Sequence, residues 1–396
     1  TNFERYSVMK RLTSIVALSC VFMLACCFVV FGACAVGLTQ KLGLSNTEWS
    51  LIPAVFLYTA CLVQFFIGGV TDKIGHKPVA ILGFVVTAAS MMLIALAPSL
   101  GFLLAAAVCL GLGSMCLNTV GNTIIPQVLF GGSDPARASN FGNGFFGMGL
   151  FLAPLIINYA PSYQYGLYLL AGLNLLLLVL ALLSAYPQAA LGYRFSTAIK
   201  VLGQAPVLIA ALALLCYVGL ENSMSNWTAK LMNELFVAAG SAAEEAGTNS
   251  AAVLSAFGLA VMTGRFVASA VKNLTAIGVK VIVVASAVSV VALGVMYTAS
   301  SPFVAILAVI VTGLAFAPIF PTIVGVTFSK YEPRYYGSIF GIIFAVGLFG
   351  GGFLQNLIGY MAGTSVQSAF ITLAVAAGAL IIIGILMGKA KSTELE

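Results

Sequence analysis

The sequence predicts an all-α membrane protein of twelve transmembrane helices in two six-helix, pseudo-symmetric bundles. Three observations carry this. Hydrophobic residues make up 61% of the 396-residue chain and charged ones only 7%, against about 25% charged in a soluble domain. Apolar runs that can cross a hydrocarbon core about 30 Å thick, which takes about 20 helical residues, follow one another with little sequence left over. The cations concentrate in alternate turns between those runs. Backbone groups in lipid must bond within their own segment, so runs this long are helices and not barrel strands.

In order, the runs are 13–38, 49–71, 78–97, 100–128, 139–160, 165–186, 205–229, 250–271, 278–299, 302–328, 337–361 and 366–388. The first follows Lys10 and Arg11 and is too long for the core of a signal peptide, although Ala33-Cys34-Ala35 resembles a cleavage site. It reads as the first membrane helix. Arg5, Lys10, Arg11, Lys73, Lys77, Arg137, Arg194, Lys200, Lys272, Lys280, Lys330, Arg334, Lys389 and Lys391 all fall on one side of the membrane, with Lys41 and Lys230 opposite. The positive-inside rule makes that first side, and both termini, cytoplasmic. The formal net charge of +6 is then topological, and no nucleic-acid partner is expected. The expected location is the plasma membrane, the inner one in a bacterium, with lipid as a partner.

The stretch 187–204 is the longest one on that side without an apolar run. It divides the chain into an N-terminal bundle (1–190), a cytoplasmic linker (191–204) and a C-terminal bundle (205–396). An internal echo supports the division. Asp134-Pro135 opens the fifth run as Glu332-Pro333 opens the eleventh, and Gly149-Leu150-Phe151 answers Gly347-Leu348-Phe349. Repeated helical halves are a transporter signature. The segment near 237–250, rich in Ala, Gly, Ser and Glu, reads as a flexible connector.

The inventory for catalysis is nearly empty. All eight cysteines lie in apolar runs without a C-x-x-C pair, and the one histidine, His76, lies in a turn. Nucleophile-elbow, zinc-protease and phosphate-loop patterns are absent from the sequence. No enzyme activity, cofactor, disulfide or metal is expected.

A carboxylate at the centre of a membrane helix costs about 2.5–3.5 kcal/mol, so the polar residues that remain are informative. Glu221 is the one acidic residue deep in a run, and is the candidate proton site. Glu221 with Ser225, and Asn222 with Asn226, are helical neighbours beside Trp227. Ser114, Asn118 and Asn122 share a face of the fourth run, and Gln355 and Asn356 sit within the eleventh. Amides and a carboxyl among aromatic rings suit a neutral polyol, whose hydroxyls need both donors and acceptors. Asn118, Asn122, Asn222, Ser225, Asn226, Trp227, Gln355 and Asn356 are therefore candidate substrate contacts, with interhelical packing as the competing reading. Pro53, Pro126, Pro154, Pro318 and Pro321 are expected to kink their helices.

Between the second and third runs stands Gly68-Gly69-Val70-Thr71-Asp72-Lys73-Ile74-Gly75-His76-Lys77. It resembles the G-x-x-x-D-[RK]-x-G-x-[RK]-[RK] signature of the major facilitator superfamily, with His76 where that family often has Arg. The resemblance implies a gate built on Gly68, Asp72, Lys73, Gly75 and Lys77: glycines let helix ends approach, and Asp72 meets a helix N-terminus or an Arg across the domain interface. Cys216-Tyr217-Val218-Gly219-Leu220-Glu221 with Trp227, Gly264-Arg265-Phe266, Pro321-Thr322-Ile323 and Asn118-Thr119-Val120-Gly121-Asn122 resemble the fucose/glucose/galactose–proton symporter branch. Run eight mirrors run two, which assigns Arg265 to the second half's gate. The branch's acidic residues in spans one and four are replaced here, near Gly32 and by Asn118, so neither fucose nor that proton route carries over.

The expected function is secondary active transport of a small polar solute, a sugar first, by alternating access and proton symport through Glu221. Sodium coupling and uniport stay open. The alternative is a proton-coupled exporter of drugs or lipid-like amphiphiles. Exporters of the superfamily carry Gly-Pro-x-x-Gly-Gly in span five and an Arg in span four, where this chain has Gly149-Leu150-Phe151-Leu152-Ala153-Pro154-Leu155 and Ala105-Ala106-Ala107-Val108-Cys109. A membrane-embedded enzyme needs paired titratable groups, and a channel needs a ring of like residues; neither pattern is visible.

Overall fold

A computed structural model describes residues 2–187, 195–361 and 365–392; within its helices the side chains of 2–10, 36, 46, 47, 49, 50, 195, 197, 355, 356 and 358–361 lie outside that description. All regular structure among the described residues is helical. Twelve spans there are long and apolar enough to cross a bilayer, as expected for an integral multi-pass membrane protein. They fall into two compact units.

The first unit comprises Thr1–Ser133, Phe145–Leu202 and Glu332–Ala345. It contains α1 (Asn2–Leu42), α2 (Asn46–Ile74), α3 (His76–Leu96), α4 (Leu100–Val128), most of α5 (Pro135–Tyr159), α6 (Tyr163–Leu183), the short α7 (Phe195–Leu202) and the start of α13 (Tyr336–Met361). The second comprises Asp134–Gly144, Gly203–Tyr331 and Val346–Glu396. It holds α8 (Ala205–Ala238), α9 (Ala243–Ser269), α10 (Leu274–Thr298), α11 (Pro302–Phe316), α12 (Ile319–Phe328), the rest of α13 and α14 (Val366–Lys389). The helices α5 and α13 each pass from one unit to the other within their length. Residues 188–194, which include the first part of the expected linker with Arg194, lie outside the described residues.

The two units repeat one packing scheme. In the first, α4 packs on α1, α2 and α3, and α6 packs on α1 and α3. In the second, α11 and α12 pack on α8, α9 and α10, and α14 packs on α8 and α10. The sequence echo has a physical basis in this scheme. A Cβ on Gly149 would sit 2.5 Å from the Phe22 carbonyl oxygen, so α5 lies directly on α1; a Cβ on Gly347 would meet Val218 at 3.1 Å, so α13 lies on α8.

One expectation is corrected. The flexible connector at 237–250 is mostly helix: α8 runs to Ala238 and α9 starts at Ala243. Alanine has the highest helix propensity, and Glu244 and Glu245 complement the positive start of α9. As its prolines lead one to expect, the tenth span is interrupted between Phe316 and Ile319, since neither Pro318 nor Pro321 has an N–H to continue the ladder.

Elsewhere the ends are set by local chemistry. A capping box of Ser45 and Glu48 starts α2, and the hydroxyls of Ser99 and Ser365 cap α4 and α14. Gly75 is the single residue between α2 and α3, with φ 90° and ψ 168°, a region open only to glycine. Gly75→Ala is expected to cost about 1–3 kcal/mol. Gly294→Ala, in α10 with nothing within 4 Å of the added methyl, should stabilise by about 0.5–1 kcal/mol. Thermal unfolding of the detergent-purified variants checks both signs.

Candidate functional site

In the first unit the gate motif forms a tight helix contact. A Cβ on Gly68 would overlap the Gly337 carbonyl, and one on Gly337 would lie 2.5 Å from both the Gly68 oxygen and Asp72 Oδ1. This approach brings the buried Asp72 onto the start of α13. Its Oδ1 accepts from the Gly337 N–H at 2.9 Å, and its Oδ2 accepts from the Ser338 N–H and hydroxyl, both at 2.7 Å. A helix N-terminus has unpaired donors and a partial positive charge, and a carboxylate answers both. Lys77 Nζ donates to the Leu182 carbonyl at 2.8 Å, capping the end of α6; Lys73 is exposed. His76, where the family often has Arg, is buried and 3.0 Å from Thr123 Oγ1. The Thr123 proton goes to the Thr119 carbonyl at 2.6 Å, so the ring donates.

The second unit holds a counterpart that sequence reasoning missed. Asp134 Oδ2 accepts from the Leu274 N–H at 3.0 Å, and Oδ1 accepts from the Thr275 N–H at 3.0 Å and hydroxyl at 2.6 Å. An acid at the start of α5 thus caps α10, whose own N-cap residue Asn273 makes no side-chain cap. Three residues on, Arg137 Nε donates to the Ser269 carbonyl at 2.8 Å, at the end of α9. Opposite charges therefore meet opposite helix ends. Glu332, at the echoed position, is exposed and pairs with Arg334 at 2.8 Å; the echo marks where two helices begin, not a shared contact.

Burial works to raise the Asp134 acid, but the Thr275 hydroxyl and the three amides outweigh it and hold the group below the usual carboxylate range. A carboxylate with a depressed folded value stabilises the protein above its unfolded value and loses that contribution as pH falls through the folded value. Asp134→Asn should therefore cost about 1 kcal/mol at neutral pH. Its stability should converge on that of the parent chain as the solution is acidified below about pH 4. Thermal melts across that range give the difference.

The candidate proton site lies wholly within the second unit, at the centre of α8. Glu221 Oε1 is 3.1 Å from Arg265 Nη2 of α9. That nitrogen also donates to the Tyr217 hydroxyl at 3.3 Å, one turn before Glu221, while Nε donates to the Ala317 carbonyl at 3.2 Å. The last bond follows from the break in the tenth span. In a continuous helix the Ala317 carbonyl would take the N–H four residues on, which is Pro321 and has none; Arg265 supplies the donor. Gly264 lets α9 come that close, since a Cβ there would stand 2.5 Å from Ala317 Cβ. Phe266 packs edge-on against Phe141 at 5.8 Å, and Tyr217 packs likewise against Phe316, also at 5.8 Å. The Arg265 side chain is 3% exposed and that of Glu221 27%, so the pair has one open edge. Removing one partner of a buried pair costs about 3–5 kcal/mol.

The mirror relation between runs two and eight assigns Arg265 to the gate; its guanidinium is bonded to Glu221, while Arg137 and Lys330 are cations on helix ends of the second unit, Lys330 Nζ donating to the Met387 and Ala390 carbonyls at 2.8 Å at the end of α14. Asn222, Ser225 and Asn226 are exposed on α8 beyond Glu221. Ser225 donates to the Glu221 backbone carbonyl at 3.0 Å and not to its carboxylate. Lys230 Nζ lies 4.5 Å above the Trp227 ring, whose buried Nε1 has no hydrogen-bond partner among the described residues. The side chains of Gln355 and Asn356 lie outside the described residues.

In the first unit the amides bond to one another. Asn122 Nδ2 donates to Asn118 Oδ1 at 2.9 Å, Asn118 Nδ2 to Gln64 Oε1 at 3.1 Å, and Gln64 Nε2 to Thr119 Oγ1 at 3.2 Å. All four residues are buried. Gln64, a lone amide in an apolar run, carries the same rarity signal that singles out Asn118.

A twelve-helix membrane fold with a repeated packing scheme, helix-end carboxylates and, among the described residues, one ion pair inside the spans defines a transporter of the facilitator type. The sequence profile of the Major Facilitator Superfamily matches residues 16–355, and the chain belongs to that family. Its fold resembles FucP, the E. coli fucose:proton symporter, in the outward conformation: TM-score 0.79, 18% identity, covering 98% of this chain and 100% of that one. The human organic anion transporter MFSD10 (TETRAN) gives TM-score 0.73 at 16% identity over 95% of this chain and 99% of that one. The proton:xylose symporter XylE gives 0.70 at 14% over 97% and 96%. Identities this low establish the fold alone. No curated protein sequence matches the chain.

Proposed function

We propose that this transporter moves a small polar solute of the sugar class by alternating access, coupled to a proton taken up by Glu221. The observation that carries the reading is the Glu221–Arg265 pair, a titratable carboxylate with an open edge inside the membrane spans. A structural ion pair needs no exposed oxygen, whereas a proton carrier does. The exposed amides and hydroxyl of Asn222, Asn226 and Ser225, continuing along α8, offer donors and acceptors to hydroxyl groups. Trp227 supplies an aromatic face, as sugar binding favours. Asn118 and Asn122 enter this reading as an ordered pair held by Gln64 rather than as free ligands.

The described names of FucP and XylE as sugar–proton symporters agree with the reading. Two bundles over 1–190 and 205–396, joined by 191–204, are the proposed halves, with both termini cytoplasmic in the plasma membrane. Asp72 and Asp134, each capping a helix in its own unit, are the proposed gate contacts, together with Gly68, Gly75 and Lys77.

Uptake into proteoliposomes, with labelled polar solutes and an imposed pH gradient, tests the reading. Glu221→Gln is expected to abolish accumulation driven by the gradient while still exchanging labelled for unlabelled solute across the membrane. Accumulation by that variant at the parent's level removes Glu221 from the mechanism.

A further inference from the structure

We propose that the solute is a polyhydroxylated acid, a sugar acid rather than a neutral sugar, whose carboxylate replaces Glu221 on Arg265 when Glu221 takes its proton. This rests on the transport reading above and names the substrate class of the same site.

A guanidinium stays charged at any physiological pH, and Arg265 is buried. The titratable or charged groups facing Glu221 are Arg265 from α9 and Tyr217 from its own helix. The helices α11, α12, α13 and α14 carry no carboxylate, amine, guanidine or imidazole other than Lys389 at the end of α14. Among the described residues Glu221 is therefore the one counter-ion paired with Arg265. When a proton neutralises it, the site keeps one uncompensated cation in a low-dielectric surround, the state that is most costly for a buried pair. A neutral sugar cannot cancel that charge. An incoming carboxylate can, and it makes protonation of Glu221 and binding of the solute mutually dependent.

The hydrogen bonds leave room for the exchange. Arg265 uses Nε on Ala317 and Nη2 on Tyr217 and Glu221, and none of the described residues accepts from its Nη1. The Tyr217 hydroxyl interacts with the Glu221 carboxyl as well as with the guanidinium. The pair thus keeps an unused donor on the cation beside an acid whose side chain is 27% exposed. A carboxylate arriving there meets Nη1 first and then takes Nη2 as Glu221, now protonated, lets go. The hydroxyls of such an acid have Asn222, Ser225 and Asn226, exposed on the next turns of the same helix, as partners. The balance is simple: one proton goes to the Glu221 carboxylate and one carboxylate to Arg265. Both leave together on the far side, so no net charge crosses.

That neutrality supplies the test. Purified full-length protein in liposomes is given an acid-outside gradient, with or without an inside-negative potential from potassium and valinomycin. The probes are labelled D-gluconate, D-glucuronate, D-glucose and L-fucose. The expected result is accumulation of an acid, driven by the pH gradient and unchanged by the potential. Accumulation of a neutral sugar that the potential stimulates, with the acids neither accumulating nor competing, overturns the inference and leaves the transport reading standing. Failure of every probe to move, in protein that is folded and monodisperse, removes both.

Binding is read separately, as the shift in melting temperature produced by D-gluconate in detergent. The parent chain should bind more tightly at pH 5 than at pH 8. Glu221→Gln, with the cation permanently unpaired, should bind equally at both. Arg265→Lys should weaken binding by about tenfold or more. Should Glu221→Gln fail to fold, the double variant with Arg265→Gln carries neither charge; stabilisation of it by gluconate also overturns the inference.

Discussion

A permanent cation inside a bilayer must be answered, and the way Arg265 is answered organises the second unit. Its three neighbours come from two spans: a carboxylate and a phenol one turn apart on α8, and a carbonyl at the break in the tenth span. Each helix that contributes is fixed relative to the others by one guanidinium. The aromatic packing of Tyr217 on Phe316 and of Phe257 on Phe316, at 5.8 and 6.2 Å, closes the surround and keeps the local dielectric low. The guanidinium is shut in, while the carboxylate beside it is still 27% exposed.

The first unit solves the problem of polar groups differently. Among the described residues it places no carboxylate or cation at mid-span, and Gln64, Asn118, Asn122 and Thr119 bond to one another. Two of its charges sit on helix ends, Asp72 on the start of α13 and Lys77 on the end of α6. The second unit uses the same device at the start of α5, with Asp134 and Arg137 on two different helix ends. Both helix-end contacts depend on glycine or alanine. Gly68 meets Gly337, and a Cβ on Gly325 would overlap the backbone of Ala136, so the carboxylates reach backbone donors without intervening side chains.

How much of this was legible follows from what each feature depends on. Span number and the repeat rest on apolar length and on short local motifs, which a sequence displays directly. The contact of Asp72 with a helix start was legible because Gly68, Asp72 and Gly75 stand four and three residues apart in one short motif. The partner of Arg265 could not, since Glu221 is 44 positions away and nothing local separates a gate cation from a core one. Asp134 escaped for a related reason: its ligands lie about 140 residues on, and an Asp before a proline reads as an ordinary helix start. The connector at 237–250 misled because Ala, Ser and Gly suit linkers and helices alike, and only the contacts of a tertiary fold decide between them.

The missing proton on Pro321 has a reach beyond its own turn. Because that nitrogen cannot close the ladder, the Ala317 carbonyl faces sideways with a lone pair to offer, and Arg265 fills the vacancy from a neighbouring helix. The imino acid therefore acts at a distance. It leaves an acceptor at the elbow of the tenth span for a charge on α9, so that one backbone position sets where the guanidinium is held. Restoring an ordinary amide at that position would give the carbonyl a donor of its own and put the two in competition for it.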